Sequence, residues 1–288
     1  MKTIKAWIEA MRLRTLPVSL AGIILAIGYA RIYHCFKLTP VLLCLIFALL
    51  AQIASNFANE YYDFKGGLDK AGREGPRRGV TEGDISPRAM QLATFSTLAL
   101  ACITGCSLLI FGEWWLIPIG IAIALGVLAY STGPYPLSHH GLGEVAVLIF
   151  FGIIPVNLTF YLQSGTFTLP VFLGSISAGL MGANVLLVNN YRDIDDDKAV
   201  GKNTIAVLTG RRFTAGLYLI SGLLALAFIR PQLSALGMGG ITAGIVYLIL
   251  HIRLWLKLTR HTDRRLNPVL GMTSVSMAIF CTLFALAT

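Results

Sequence analysis

Runs of about 20 apolar residues follow one another along this 288-residue chain, with only short polar segments between them. Roughly 20 helical residues are needed to cross the hydrocarbon core of a bilayer. The repetition therefore predicts an all-α fold, a polytopic bundle of membrane helices. Composition argues against a soluble domain: hydrophobic residues make up 56% of the chain and charged ones 13%, whereas soluble domains run at about 45–50% and about 25%. Residues 1–288 are expected to form one integral-membrane domain embedded in the lipid bilayer.

Nine spans can be drawn, near 17–34, 38–58, 88–110, 114–131, 143–162, 168–188, 212–229, 233–252 and 268–287. With the N-terminus inside, the segments 59–87, 132–142, 189–211 and 253–267 share its side. Every Lys and Arg except Arg31, Lys37 and Arg230 then falls on that side or at its edge. An excess of basic residues in short loops marks the cytoplasmic face, and this sorting accounts for the net charge of +9 without any nucleic acid. The first fourteen residues, with Lys2, Lys5, Arg12 and Arg14, read as an amphipathic lead-in at the cytoplasmic surface. They lack the apolar core and small-residue cleavage site of a signal peptide and are expected to remain on the mature protein. Cys35, Cys44, Cys102, Cys106 and Cys281 show no zinc-site spacing and are expected to be core residues. Trp7, Trp114, Trp115 and Trp255 fall at span edges, where an aromatic belt belongs.

Acidic residues concentrate in two places that charge sorting does not explain. Glu60, Asp63, Asp69, Glu74, Glu82 and Asp84 lie in the segment after the second span, and Asp193, Asp195, Asp196 and Asp197 in the one after the sixth. Asn59 and Asp63 are four apart, as are Asn189, Asp193 and Asp197, a spacing that gathers side chains on one helix face. Gly66 and Gly67 are expected to break the first helix before Asp69 is presented. Carboxylates with amide oxygens suit a hard cation such as Mg2+, which is commonly shared with substrate phosphates. Lys70, Arg73, Arg77 and Arg78 follow the first cluster, and Arg192, Lys198 and Lys202 are interleaved with the second. Arginine forks match phosphate oxygens and lysine adds a point charge. Metal and cations around one pocket are the equipment for stabilising a departing diphosphate.

These residues resemble a family. Asn59-x-x-x-Asp63 with Asp69, and Asn189-x-x-x-Asp193-x-x-x-Asp197, are similar to the two aspartate-rich motifs of the UbiA superfamily of nine-span intramembrane aromatic prenyltransferases. The stretches Gly66–Gly79, Gly141-Leu-Gly-Glu144, Gly201-Lys-Asn-Thr204 and Leu266-Asn-Pro resemble the branch that prenylates 1,4-dihydroxy-2-naphthoate in menaquinone biosynthesis. The resemblance implies transfer of a prenyl group from polyprenyl diphosphate to the naphthoate, with loss of its carboxylate, at a site opening to the cytoplasmic face of a bacterial inner membrane. It further implies that Asn59, Asp63 and Asp69 hold one Mg2+ and that Asp193 and Asp197, supported by Asn189, hold another. Lys70, Arg73, Arg77, Arg192, Lys198 and Lys202 would grip the diphosphate, while Asp195 and Asp196 sit off the motif spacing as solvated or supporting groups.

The acceptor half is less clearly written. The loop from Tyr130 to Glu144 is its expected place, with Tyr130 and His140 as catalytic candidates beside Asp63 and Asp193. Relatives often carry Lys or Arg here, whereas this loop has Tyr135 and the pair His139 and His140. Either histidine could meet the acceptor or only tie the loop down. Glu144 could partner one of them or sit in the first turn of the next helix. Two rival readings stand beside this one: a relative acting on another acceptor such as 4-hydroxybenzoate, and a divalent-cation transporter. Transport would want carboxylates near the bilayer midplane with access from both sides.

Overall fold

The computed structural model describes residues 2–69 and 75–288, and among them every regular element is helical. In chain order these are α1 Lys2–Ala10, α2 Leu16–Ile32, α3 Leu38–Lys65, α4 Pro87–Ser107, α5 Leu116–Ala129, α6 Gly143–Val147, α7 Ile154–Ser164, α8 Leu169–Arg192, α9 Ile194–Ala199, α10 Ile205–Ala235, α11 Gly237–Leu258 and α12 Asn267–Leu286. Pro17, Pro87, Pro170 and Pro268 each stand in the first turn of a helix, where the missing N–H costs nothing. Ser86 and Thr204 cap α4 and α10 by accepting from the amides of Ala89 and Val207.

Among the described residues seven helical rods are long and apolar enough to cross a membrane, and Leu16–Ile32 and Leu116–Ala129 are apolar but shorter. Each overlaps one of the expected spans. The ends differ where polar residues extend a helix beyond its apolar run. α3 runs on to Lys65 instead of stopping at 58, because Asn59, Glu60 and Asp63 find partners inside the bundle. α10 begins well before the expected 212, with a break at Gly210 (φ 80°, ψ 168°) that only glycine adopts readily.

α6 and α7 are joined by a π-helical stretch, Leu148–Ile153, into one rod. Pro155 explains the wider turn, since its ring clashes with the carbonyl four residues back, on Phe151. Small residues accommodate the bulge: Gly152 meets Gly179 of α8 so closely that a Cβ there would collide with backbone.

The main core gathers Tyr29, Phe160, Met181, Tyr218, Ile229, Phe280 and Phe284 from α2, α7, α8, α10 and α12. α8 is the most buried long helix, while α4 turns most of its length outward, Leu92, Leu100 and Ile103 among the exposed side chains. Cys102 and Cys106 lie on that outer face and so are not core residues, unlike Cys44 and Cys281; all five cysteines are free. α1 packs beside α3, with Ala6 and Ala10 buried and Trp7 edge-on to Phe57 at 5.6 Å.

Candidate active site

The last two turns of α3 present Asn56, Asn59, Glu60 and Asp63 on one buried face, spaced three and four apart. Gly66 caps the helix and Gly67 adopts φ 67°, which lets the amide of Leu68 return to the carbonyl of Asp63 at 2.9 Å. The chain thereby doubles back and brings Asp69 alongside the helix end, where its carboxylate lies 3.3 Å from Nε of Arg78.

α8 supplies the second arm. It ends at Arg192, and Asp193 (φ −89°, ψ 9°) turns the chain into α9. A single helix through Asn189, Asp193 and Asp197 was expected, and the structure has two. The step of four nevertheless survives the turn, because Asp193 N–H donates to Asn189 at 3.0 Å and Asp197 N–H to Asp193 at 2.8 Å. Asp193 and Asp197 are both buried.

The two arms line one cavity of about 820 Å³ at one end of the bundle. Lys202, in the turn after α9, crosses it: its amide donates to the carbonyl of Asp197, and its ammonium reaches Asp63 Oδ2 at 2.9 Å. His139 Nε2 stands 3.6 Å from the other oxygen of Asp63, and the carbonyl of His139 accepts from the amide of Asn203 at 2.9 Å. The 130–144 loop and the 200–204 turn are thus tied together above the first cluster. Arg12 and Arg78 both donate to Asn59 Oδ1, and Arg78 also lies 3.8 Å from Asp63 and 3.9 Å from Glu60.

Arg192 has a different setting. Fully buried, it donates from Nε and Nη2 to the two carboxylate oxygens of Asp193 at 2.7 and 2.8 Å, and further to Asn189 and Asn267. This fork-to-fork pairing fixes the second cluster and leaves Arg192 committed to holding protein groups rather than a phosphate.

Several expected site residues converge as the spacing suggested: Asn59, Asp63, Asn189, Asp193, Asp197, Lys202 and Tyr130 all line the cavity. Others do not. Arg77, although at the rim, pairs with Asp84 at 2.5 Å, and its neighbour Arg78 is the one buried on the acid cluster. Lys198 is exposed on the outer side of α9 and does not line the cavity. His140 stacks on Tyr135 with ring centroids 3.6 Å apart and bonds through Nδ1 to the carbonyl of Pro136, so it stabilises its own loop. Asp195 pairs with Arg211 at the surface. Lys70 and Arg73 lie outside the described residues.

Arg12, Glu60, Asn190, Arg264 and Asn267 line the cavity as well and were not singled out as site residues by spacing. Arg12 and Arg264 were indistinguishable from the basic residues of the membrane-sorting pattern. Arg12 takes a left-handed backbone (φ 53°) in the turn before α2 and reaches Asn59, and no sequence signal marks that.

The donor set is one of carboxylates and amide oxygens, with Asp63 Oδ1 buried and making no hydrogen bond. Among the described residues no three His, Cys, Asp or Glu side chains form a metal group by themselves. The arrangement fits a hard divalent cation whose shell is completed by water and ligand oxygens, as Mg2+ prefers.

A model of the UbiA prenyltransferase family matches residues 15–280. The 1,4-dihydroxy-2-naphthoate octaprenyltransferase of Escherichia coli is 38% identical over 234 residues, 77% of this chain and 75% of that protein. Its namesake from Mycobacterium tuberculosis is 32% identical over 281 residues, 97% of this chain and 95% of that one. The structure of a UbiA homolog from Archaeoglobus fulgidus bound to DMAPP and Mg2+ matches with a TM-score of 0.70 at 14% identity, covering 98% of each chain.

Proposed function

Because the chain belongs to the UbiA prenyltransferase family, we propose that it transfers a polyprenyl group from its diphosphate to 1,4-dihydroxy-2-naphthoate. The naphthoate carboxylate is lost and demethylmenaquinone is formed. One observation carries the reading: acid clusters far apart in sequence line a single cavity that is also furnished with arginine and lysine.

In this reading Asn59, Asp63 and Asp69 hold one Mg2+ and Asn189, Asp193 and Asp197 a second. When bound, the metal supplies positive charge beside the departing diphosphate. Lys202, Arg12 and Arg78, which in this structure rest on the first cluster, are the cations within reach of the diphosphate oxygens. Arg192 positions Asp193. Val18, Val147, Phe151, Val185 and Leu270 form the apolar side of the cavity. They keep water from the allylic cation that forms as the diphosphate leaves, so the electron-rich ring traps it instead.

The protein is an integral membrane protein. We place the cavity at the cytoplasmic face of a bacterial inner membrane, with the N-terminus on that side, on the strength of the basic-residue asymmetry. The deciding experiment supplies purified protein with a polyprenyl diphosphate, Mg2+ and 1,4-dihydroxy-2-naphthoate. Demethylmenaquinone should form and should vanish on chelation. Prenylation of 4-hydroxybenzoate with no reaction of the naphthoate would overturn the acceptor assignment.

A further inference from the structure

Two buried acids in the cavity, Glu60 and Glu144, have no part in the chemistry above; Glu60 is met by Arg78 and the amide of Val80. Glu144, at the start of α6, is only 7% exposed and lines the cavity. Its Oε1 accepts from Asn190 at 2.8 Å, while its Oε2 is buried and makes no hydrogen bond. A half-satisfied buried carboxylate is expensive, and the cost persists unless a ligand supplies the missing donor. Tyr130 stands on the same wall, its hydroxyl beside Gly143.

We propose that Glu144 is the group that receives a ring hydroxyl of the aromatic acceptor and thereby sets the orientation of the ring. This rests on the prenyl-transfer reading of the same cavity. Of the two substrates, the diphosphate is repelled by a carboxylate and the prenyl tail has no donor. The dihydroxynaphthoate carries two hydroxyls that donate. Its own carboxylate is repelled by Glu144 and drawn to Arg264, a cation on the same cavity outside the set given to the diphosphate. A hydroxyl-accepting oxygen and a cation lining one cavity therefore give the ring one favoured orientation.

The test is equilibrium binding of 1,4-dihydroxy-2-naphthoate and of 2-naphthoate, which lacks both hydroxyls, to the full chain in lipid nanodiscs. A hydrogen bond to a charged group corresponds to a preference of about ten- to a hundredfold for the dihydroxy compound in the unaltered protein. Glu144→Gln keeps an oxygen for Asn190 and should shrink that preference to about threefold or less while leaving 2-naphthoate binding nearly unchanged. A purely structural role would weaken both ligands alike. Glu144→Asp, which keeps the charge but draws it back by one methylene, should fall between, and it serves if the glutamine variant fails to insert. A preference retained in both variants, or absent from the unaltered protein, overturns the proposal. Turnover is read separately: an intact preference without prenylated product would remove the transfer reading and leave the hydroxyl subsite standing.

Discussion

The two acid clusters carry similar residues and are neutralised in opposite ways. The second is gripped from within its own helix: Arg192 holds Asp193, its sequence neighbour, and Asn189, one turn back. Asn267 joins it from α12. The first cluster draws its cations from three distant segments: Arg12 before α2, Arg78 beyond the glycine turn and Lys202 after α9, with His139 adding a contact from a fourth. A cluster neutralised locally holds its shape whatever enters the cavity. One neutralised by tertiary contacts can hand its cations to a ligand, because Lys202 and Arg78 reach it from flexible stems. The pair therefore divides into a fixed arm and an exchangeable arm.

The largest effect should come from removing either carboxylate. Asp63→Asn and Asp193→Asn should each cut turnover about a thousandfold or more, since loss of even one charge-stabilising group costs about a hundred- to a thousandfold. Near-normal rates from either, in a folded and inserted protein, would break the two-arm picture. Arg192→Met should then separate the arms by stability. It removes the fork that holds the buried Asp193 carboxylate, a loss of about 3–5 kcal/mol, visible as a lower melting temperature in detergent. Lys202→Met, on the exchangeable arm, should melt within a few degrees of the unaltered protein yet lose turnover by roughly tenfold or more. Equal melting temperatures for the two variants would erase the distinction.

A smaller contrast lies between adjacent arginines. Arg78→Ala should raise the apparent KM for prenyl diphosphate about tenfold, whereas Arg77→Ala, at a half-exposed pair with Asp84, should stay within about twofold. The reverse order would return the phosphate contact to Arg77. The smallest effect belongs to His140→Ala, expected to leave the acceptor KM within about twofold because the ring stacks on Tyr135 rather than facing the cavity.

Much of this was legible in the residues themselves. Hydropathy gave the helical bundle because lipid demands long apolar helices, and it misplaced helix ends where polar residues carry a helix past its apolar run, inside protein as Asn59 to Asp63 do in α3 or at the surface as Arg253 and Lys257 do in α11. The spacing of four named Asp63, Asp193 and Asp197 with their asparagines, all of which line the cavity, because helix pitch is a local property. The Gly66–Gly67 turn was readable for the same reason, and Gly67 does take the left-handed backbone such a turn uses.

The partners of those acids were beyond local reading. Arg77 and Arg78 are neighbours of identical chemistry, and only the path of the chain after the glycine turn buries one and leaves the other half-exposed. Arg12 looks like any basic residue near a membrane surface until α1 folds back beside α3. His139 and His140 are likewise equivalent on paper, yet the loop sends one toward Asp63 and turns the other onto Tyr135. The sequence by itself determined the membrane bundle and the two acid faces, because periodicity and hydropathy act within a few turns of helix. Only the tertiary structure decided which cations meet those acids and left Glu144 half-paired in the cavity wall, because both depend on where segments far apart in sequence, by 139 residues for Lys202 and Asp63 and by 46 for Asn190 and Glu144, come to rest.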